Sequence, residues 1–422
     1  MMVKSVKGFR DILPGETSVF RWVEGRAREV FQAWGFREIV PPILERTDLF
    51  SRTIGEATEI VEKQMYSFED LHGDSLTLRP EGTASVVRAY VEHHLDQEQP
   101  VTKLFYTGPM FRYERPQKGR TRQFFQAGVE MLGDATPDAD AEILSCLDAL
   151  LAGVGVADVT LAINSLGHPG CRPAYLNSLR EWFAQRRSDL CADCDRKIDR
   201  NPLRILDCKV DRCIEIAAGA PSIRDPLCAE CGSHFDGVRR RLDRIGVKAV
   251  VDPKIVRGLD YYVRTAFEAT TDRLGAKNAV AAGGRYDGLV KALGGPDIPG
   301  IGFAVGMERL ISLLPAGLPI PPDGPRVLMV GAGGDASREA AFALADALRR
   351  AGVSIEWAGD RSLKAALRRA DRIGAGFVLI LGEEELALDE VALRDMRGQT
   401  QEKIPRAAVL ETLRRRLSAA GS

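Results

Sequence analysis

Residues 111–124 read FRYERPQKGRTRQF, a stretch in which Arg112, Arg115, Lys118, Arg120 and Arg122 crowd around Pro116 and Gly119. Before it stands KLFYTGPMF and after it FFQAGVEML, two apolar runs rich in Phe, Tyr and Val. Such runs read as strands, and the proline and glycine between them mark a turn, so the segment is expected to form a hairpin with a long charged connection. A solvated basic loop is the plain reading of a charge run. Cations projecting from the end of a buried hairpin also make a site for a polyanion, in a chain of 422 residues whose formal net charge is only −1.

Outward from the hairpin, GDSLTLRP, VTLAIN, TAFEAT and NAVAAGG are further strand-like runs set between helices of uneven length. That texture predicts an α+β domain with a mostly antiparallel sheet. Residues 172–240 are interrupted, highly charged and hold six of the eight cysteines, and they read as a small insertion outside the sheet. LLPAGLPIPPDGP at 313–325, with five prolines and two glycines, cannot continue a helix or a central strand and marks a linker. Beyond it RVLMVGAG, VSIEWAG and GFVLILG alternate with amphipathic helical stretches, which predicts a C-terminal α/β domain with a parallel or mixed sheet. The expected divisions are residues 1–171 with 241–315, the insertion 172–240, a linker over 316–325, and a last domain over 326–422.

With 45% hydrophobic and 28% charged residues the chain has the composition of a globular protein, and wholesale disorder is excluded. The balance of 58 Lys and Arg against 59 Asp and Glu excludes a general nucleic-acid coat, so any nucleotide or RNA contact is local. The start, MMVKSVKGFRDILPGE, carries charges and a proline where a secretory leader needs an apolar core, and no run reaches membrane-spanning length. A cytoplasmic location is expected, in which eight cysteines mean free thiols or a metal rather than disulfides. The VGAGGDAS stretch lacks the Lys-Ser/Thr ending of a phosphate loop and reads as a tight turn. AAGGRYDGL at 281–289 reads either as a solvent-exposed turn or as glycines that let backbone approach a ligand beside Arg285, Tyr286 and Asp287. His93, His94 and His168 read as surface residues.

FRYERPQKGRTRQFFQAGVE resembles the second signature of class II aminoacyl-tRNA synthetases, PGIGFAVGMERL at 299–310 the third, and GFREIVPPILE at 35–45, with Pro42, the first. RGLDYY at 257–262 and AAGGRYDGL are similar to two sequences peculiar to the histidyl-tRNA synthetase family, and LTLRPEGTA at 76–84 is another matching block. The resemblance spans essentially the whole chain. It implies a class II catalytic domain that activates L-histidine with ATP and passes it to tRNA(His), and an anticodon-binding C-terminal domain. It also implies a homodimer with Pro42 at the interface, and Mg²⁺ on the ATP phosphates.

The resemblance also implies roles. Arg112 and Arg257 are the catalytic cations at the α-phosphate, and both contact histidine. Glu114, Arg120, Phe124 and Arg309 join Arg112 on ATP, the adenine stacking between Phe124 and Arg309. Glu130 and Tyr262 read the imidazole, Glu81, Thr83 and Gln126 the α-amino and carboxylate groups, and Tyr261 and Tyr286 wall the pocket. Arg115 and Gln117 contact the tRNA acceptor end. These residue types suit the chemistry: a carboxylate attacking a phosphate brings two anions together, so fixed cations must be present first, and arginine's fork grips two phosphate oxygens. A neutral imidazole offers one donor and one acceptor, which an acid and a phenol can pair. Tyr113, Thr121 and Phe125 depart from the family's pattern in the detail of the loop.

In the insertion, CADC at 191–194 and CAEC at 228–231 are paired C-x-x-C knuckles, and Cys191, Cys194, Cys228 and Cys231 are candidate ligands for one structural Zn²⁺, with unligated thiols as the alternative. In the last domain Lys364, Arg368, Arg369 and Arg372 recur along one helix, as an RNA contact or a solvated face. Two non-catalytic readings of the same resemblance are a regulatory subunit of ATP phosphoribosyltransferase and an uncharged-tRNA sensor.

Overall fold

A computed structural model describes residues 2–419 apart from 56–57, 59, 115–120, 207, 209, 223–226, 256–258, 260, 276–278, 319, 322–323, 325 and 360. These residues fall into two compact units, one running to Ala316 and one beginning at Gly317, with Ile12–Val19 counted in the second.

The helix α1 (Glu16–Ala33), which belongs to the first unit from Phe20 onward, buries Phe20, Val23, Ala27 and Phe31 at helical spacing. It leads to β1 (Arg37–Glu38), β2 (Leu44–Arg46), α2 (Thr47–Ile54), β3 (Tyr66–Glu69) and β4 (Ser75–Leu78), of which β2, β4 and β3 make a small antiparallel sheet. After α3 (Thr83–Glu92) comes the expected hairpin, β5 (Thr102–Phe111) and β6 (Gln123–Leu132), paired without a break from Thr102 opposite Leu132 to Phe111 opposite Gln123. The chain continues through α4 (Pro137–Gly153), β7 (Thr160–Ser165), four helices α5 (Arg172–Ala184), α6 (Ala192–Arg200), α7 (Asp211–Ala218) and α8 (Ala229–Ile245), then β8 (Ala249–Val251). It closes with β9 (Val263–Thr270), β10 (Ala279–Arg285), α9 (Leu289–Ala292), β11 (Gly300–Gly306) and α10 (Met307–Ser312).

The large sheet has the order β1-β5-β6-β11-β10-β9-β7-β8, antiparallel throughout except at its two outer edges, where β1 joins β5 and β8 joins β7 in parallel. The hairpin thus lies beside β11 and β10, which the sequence separates from it by more than a hundred positions. AAGGRYDGL is not an exposed turn: Ala281–Arg285 are strand, and a Cβ on Gly283 would stand 2.2 Å from the Gly302 carbonyl and 2.6 Å from the Phe267 ring. The glycine is demanded by strand packing, not by a ligand.

The insertion, helical among its described residues, does not form a core of its own. Tyr175, Leu179 and Phe183 of α5 pack in one apolar cluster with Ala162 and Ala266 of the sheet and with Tyr262 and Tyr286.

The second unit runs β12 (Val327–Gly331), α11 (Asp335–Arg350), β13 (Ile355–Trp357), α12 (Leu363–Arg372), β14 (Phe377–Leu381), α13 (Glu383–Ala387), β15 (Glu390–Asp395), β16 (Gln401–Pro405) and α14 (Val409–Ala419). Its sheet, β13-β12-β14-β15-β16, is parallel over the first three strands and antiparallel over the last two. Strands β12 and β14 are buried on both faces, which is why they read as unbroken apolar runs. No helix among the described residues is long and apolar enough to cross a membrane.

Candidate active site

A cavity of about 290 Å³ opens over the centre of the large sheet. Its floor is Ala281 and Ala282 of β10 with Ala304 and Gly306 of β11, side chains too small to fill the space above them.

One end is lined by Glu81, Thr83, Gln126, Tyr261 and Tyr262. Glu81 sits just before α3 and accepts from the amides of Thr83 and Ala84, each at 2.8 Å, so the carboxylate occupies the helix N-terminus where unpaired N–H groups cluster. Burial raises its pKa, opposed by those two amides and by Arg112. Thr83 Oγ1 donates to Glu130 Oε1 at 2.6 Å and the Tyr286 hydroxyl to Glu130 Oε2 at 2.5 Å. Glu130 is fully buried behind this wall, and desolvation, opposed by its two hydrogen bonds and reinforced by Glu81, lifts its pKa to about 8. Gly302 faces Glu130 across the strand pair, and a Cβ there would come within 2.0 Å of Glu130 Oε2. Tyr261 packs against Tyr262 and edge-on to Tyr286, with ring centroids 4.6 and 5.9 Å apart. Gln126 Oε1 is buried with no hydrogen-bond partner among the described residues, a polar atom left for a ligand.

At the other end stand Arg112, Glu114, Thr121, Phe124, Glu308 and Arg309. Arg112, just past β5, donates from Nε to the Pro80 carbonyl at 2.8 Å and lies 5.2 Å from the Phe124 ring centroid. Arg309 on α10 is tied to the Ala279 carbonyl at 2.5 Å. The base of the hairpin connection is held by the N-terminal segment: Arg122 N donates to Gly8 O at 2.7 Å, and the Arg122 guanidinium lies over Tyr113 at 3.7 Å.

Of the residues the sequence nominates, Glu81, Thr83, Arg112, Glu114, Phe124, Gln126, Tyr261, Tyr262 and Arg309 share this one cavity, and Glu130 and Tyr286 stand directly behind it. Arg115, Gln117, Arg120 and Arg257 lie outside the described residues. Arg285 does not present itself to a ligand: it is fully buried on Asp140 and bonded to the carbonyls of Asp134 and Thr136. His168 is no surface residue either, since it joins a cysteine cluster. The four knuckle cysteines do not meet at one point. Cys191 and Cys194 gather with Cys208 and Cys213, whereas Cys228 and Cys231 gather with His168 and Cys171.

The sequence reading missed three participants. Glu308 accepts the Phe125 amide at 3.0 and 3.1 Å and so braces the strand that carries Phe124. It stands inside GMERL, where an acid next to the nominated Arg309 was the available signal. Glu268 lines the cavity from β9, with nothing local to distinguish it from a solvated strand acid. Arg79, 3% exposed, donates to the carbonyls of Pro41 and Pro109 and fastens the PP segment to β5; a buried arginine is invisible until the chain surrounds it.

A family model described as histidyl-tRNA synthetase matches residues 8–204 and 215–310, and one described as anticodon binding domain matches 326–416. The chain is 50% identical over 405 residues to a histidine–tRNA ligase of Desulfosudis oleivorans, covering 96% of each, and 50% identical to one of Geobacter sulfurreducens, covering 96% of this chain and 97% of that one. An apo crystal structure of Staphylococcus aureus histidyl-tRNA synthetase superposes with a TM-score of 0.81 at 35% identity, over 97% of this chain and 99% of that one. The fold and these matches define a class II aminoacyl-tRNA synthetase. Within that class, the chain belongs to the histidyl-tRNA synthetase family.

Proposed function

We propose that this chain is a histidine–tRNA ligase, which joins L-histidine to ATP to form histidyl-adenylate and pyrophosphate and then transfers histidine to the 3′ end of tRNA(His). The observation that carries this is the single cavity in which the carboxylate and tyrosine group around Glu81 and Tyr262 faces the cation and aromatic group of Arg112, Phe124 and Arg309. An amino acid and a nucleotide bound at those two ends meet carboxylate to α-phosphate, the geometry that replaces a random encounter by an intramolecular one.

Arg112 and Arg257 flank the α-phosphate and stabilise the charge that grows there, with Arg120 on the γ-phosphate and Glu114 toward the adenine amino group. Phe124 and Arg309 sandwich the adenine. Glu130 and Tyr262 pair the imidazole nitrogens, Glu81, Thr83 and Gln126 take the α-amino and carboxylate groups, and Tyr261 and Tyr286 shape the wall. Arg115 and Gln117 meet the acceptor end of tRNA. ATP brings Mg²⁺ on its β- and γ-phosphates, and carboxylates such as Glu268 are the hard oxygen donors that suit that ion.

Residues 1–171 and 241–315 form the catalytic domain around the insertion 172–240, residues 316–325 link it onward, and residues 326–422 bind the anticodon, the reading favoured by the family match there. The protein works in the cytoplasm as a homodimer. Val40, Ile43 and Leu44, beside Pro41 and Pro42, are exposed apolar side chains suited to a second copy; light scattering should find a dimer, and a stable, active monomer at micromolar concentration would refute it. The deciding assay is histidine-dependent ATP–pyrophosphate exchange followed by charging of tRNA(His). Absence of exchange with histidine would leave a non-catalytic regulatory subunit or tRNA sensor in its place.

A further inference from the structure

We propose that the chain holds two separate structural zinc ions, one on His168, Cys171, Cys228 and Cys231 and one on Cys191, Cys194, Cys208 and Cys213. Within each group the four ligand atoms lie no more than 4.8 Å from one another. Tetrahedral zinc with arms of about 2.3 Å to sulfur and 2.0–2.1 Å to nitrogen puts sulfurs about 3.8 Å apart and a sulfur about 3.5 Å from a nitrogen. Cys171 and Cys231 Sγ are 3.8 Å apart, and Cys228 Sγ is 3.4 Å from His168 Nε2. These are metal-ligand spacings between thiols that are not disulfide-bonded. An iron–sulfur cluster distributes its four thiolates over two or four irons bridged by sulfide and spreads the sulfurs more widely, so the compact groups favour one small ion each.

The surroundings fit as well. In both C-x-x-C pairs the first cysteine caps a helix, and its sulfur accepts the amide of the second, at 3.4 Å for Cys191 and 3.5 Å for Cys228. Cys213 Sγ accepts the Cys191 amide at 3.3 Å. Backbone N–H groups aimed at sulfur offset thiolate charge, the second layer a zinc–cysteine site requires. Binding displaces the ligands' protons to solvent.

The two ions do different structural work. The first joins Cys171 to Cys231, 60 positions apart, and so ties the start of the insertion to its last helix, α8. The second pins α6 to α7 inside it. The first also abuts the histidine end of the cavity: Arg172, next to Cys171, donates to the Tyr262 carbonyl at 3.2 Å, and Glu230, next to Cys231, pairs with Arg264 on β9.

Elemental analysis of the full-length protein purified without chelator should give about two zinc per chain. Cys231→Ser and Cys213→Ser should each reduce this to one, and the double variant to none. Should these variants fail to fold, X-ray absorption at the zinc edge of the unaltered protein decides: a mean shell of about seven sulfurs to one nitrogen over the two sites is expected. One zinc or none, iron in place of zinc, or an oxygen-rich shell would overturn the proposal. So would wild-type metal content in both Cys171→Ser and Cys208→Ser, because a single site shared by the two knuckles needs neither residue.

Discussion

At one end of the cavity Glu130 has both carboxylate oxygens occupied, by Thr83 and Tyr286, whereas at the other Arg112 gives its Nε to the Pro80 carbonyl and lays its guanidinium beside Phe124 at the cavity wall. The Glu130 end is a dry network: Glu130 is fully buried and its partners already stand in place. The Arg112 end is a set of charges on a hairpin rim and on α10. Under the proposed function, with histidine at the first end and ATP at the second, the difference follows from the two substrates. Reading a small neutral ring against all other amino acids requires buried polar groups whose pairing fails when the wrong ligand enters. A triphosphate must enter and pyrophosphate must leave, so its end stays open.

That contrast can be broken by experiment. The largest effect should be in stability against pH. The folded-state pKa of Glu130, about 8, stands above its usual 4.5, so between those values the folded chain keeps a proton that the unfolded chain releases. The contribution is full below pH 4.5 and is lost as pH rises to about 8, by on the order of 5 kcal/mol if the shift acts alone. Denaturant melts of the unliganded protein over that window should show this slope, and Glu130→Gln should flatten it; equal slopes would mean the carboxyl is ionised and the end is not dry. Next, Arg112→Ala should slow pyrophosphate exchange about a hundred- to thousand-fold, roughly 3–4 kcal/mol, with the KM for histidine, which the same arginine also contacts, raised far less than the rate falls. A change confined to that KM would merge the two ends into one.

Gly302→Ala sharpens the comparison from the backbone. The new methyl would meet Glu130 Oε2 at 2.0 Å and the Val129 carbonyl at 2.3 Å, so the carboxylate must move, at a cost of about 1–3 kcal/mol. The KM for histidine should rise roughly tenfold or more while that for ATP holds. Phe124→Leu, the mildest of the four, keeps apolar bulk but removes the stacking face, and should raise the KM for ATP by the equivalent of about 1 kcal/mol with histidine binding intact. Steady-state exchange with each substrate varied separately distinguishes these outcomes.

How much of the site was legible depended on whether a residue's role is local. Arg112, Glu114 and Phe124 flank one hairpin, and Glu81 and Thr83 bracket the start of one helix, so their signatures are short and contiguous. Glu308 and Arg79 act on partners 183 and about 30 to 38 positions away, and no short window contains both members of either pair. The same distinction explains AAGGRYDGL. Its glycines signal close backbone approach correctly, but only the neighbouring strand shows that Gly302, not a ligand, is what approaches.

The amino-acid sequence by itself determined the alternation of strands, the mixed α/β character of the C-terminal unit and the signatures that define the family, because each rests on periodicity, turn chemistry or a contiguous motif. Tertiary structure alone decided that Arg285 is a buried partner of Asp140, that α5 packs in one cluster with residues of the large sheet, and that the cysteine knuckles belong to different clusters. A C-x-x-C pair is made by one helix start and is visible in four residues. Which two further ligands complete it depends on where the chain returns, and here the return brings His168 and Cys171 to one knuckle and Cys208 and Cys213 to the other.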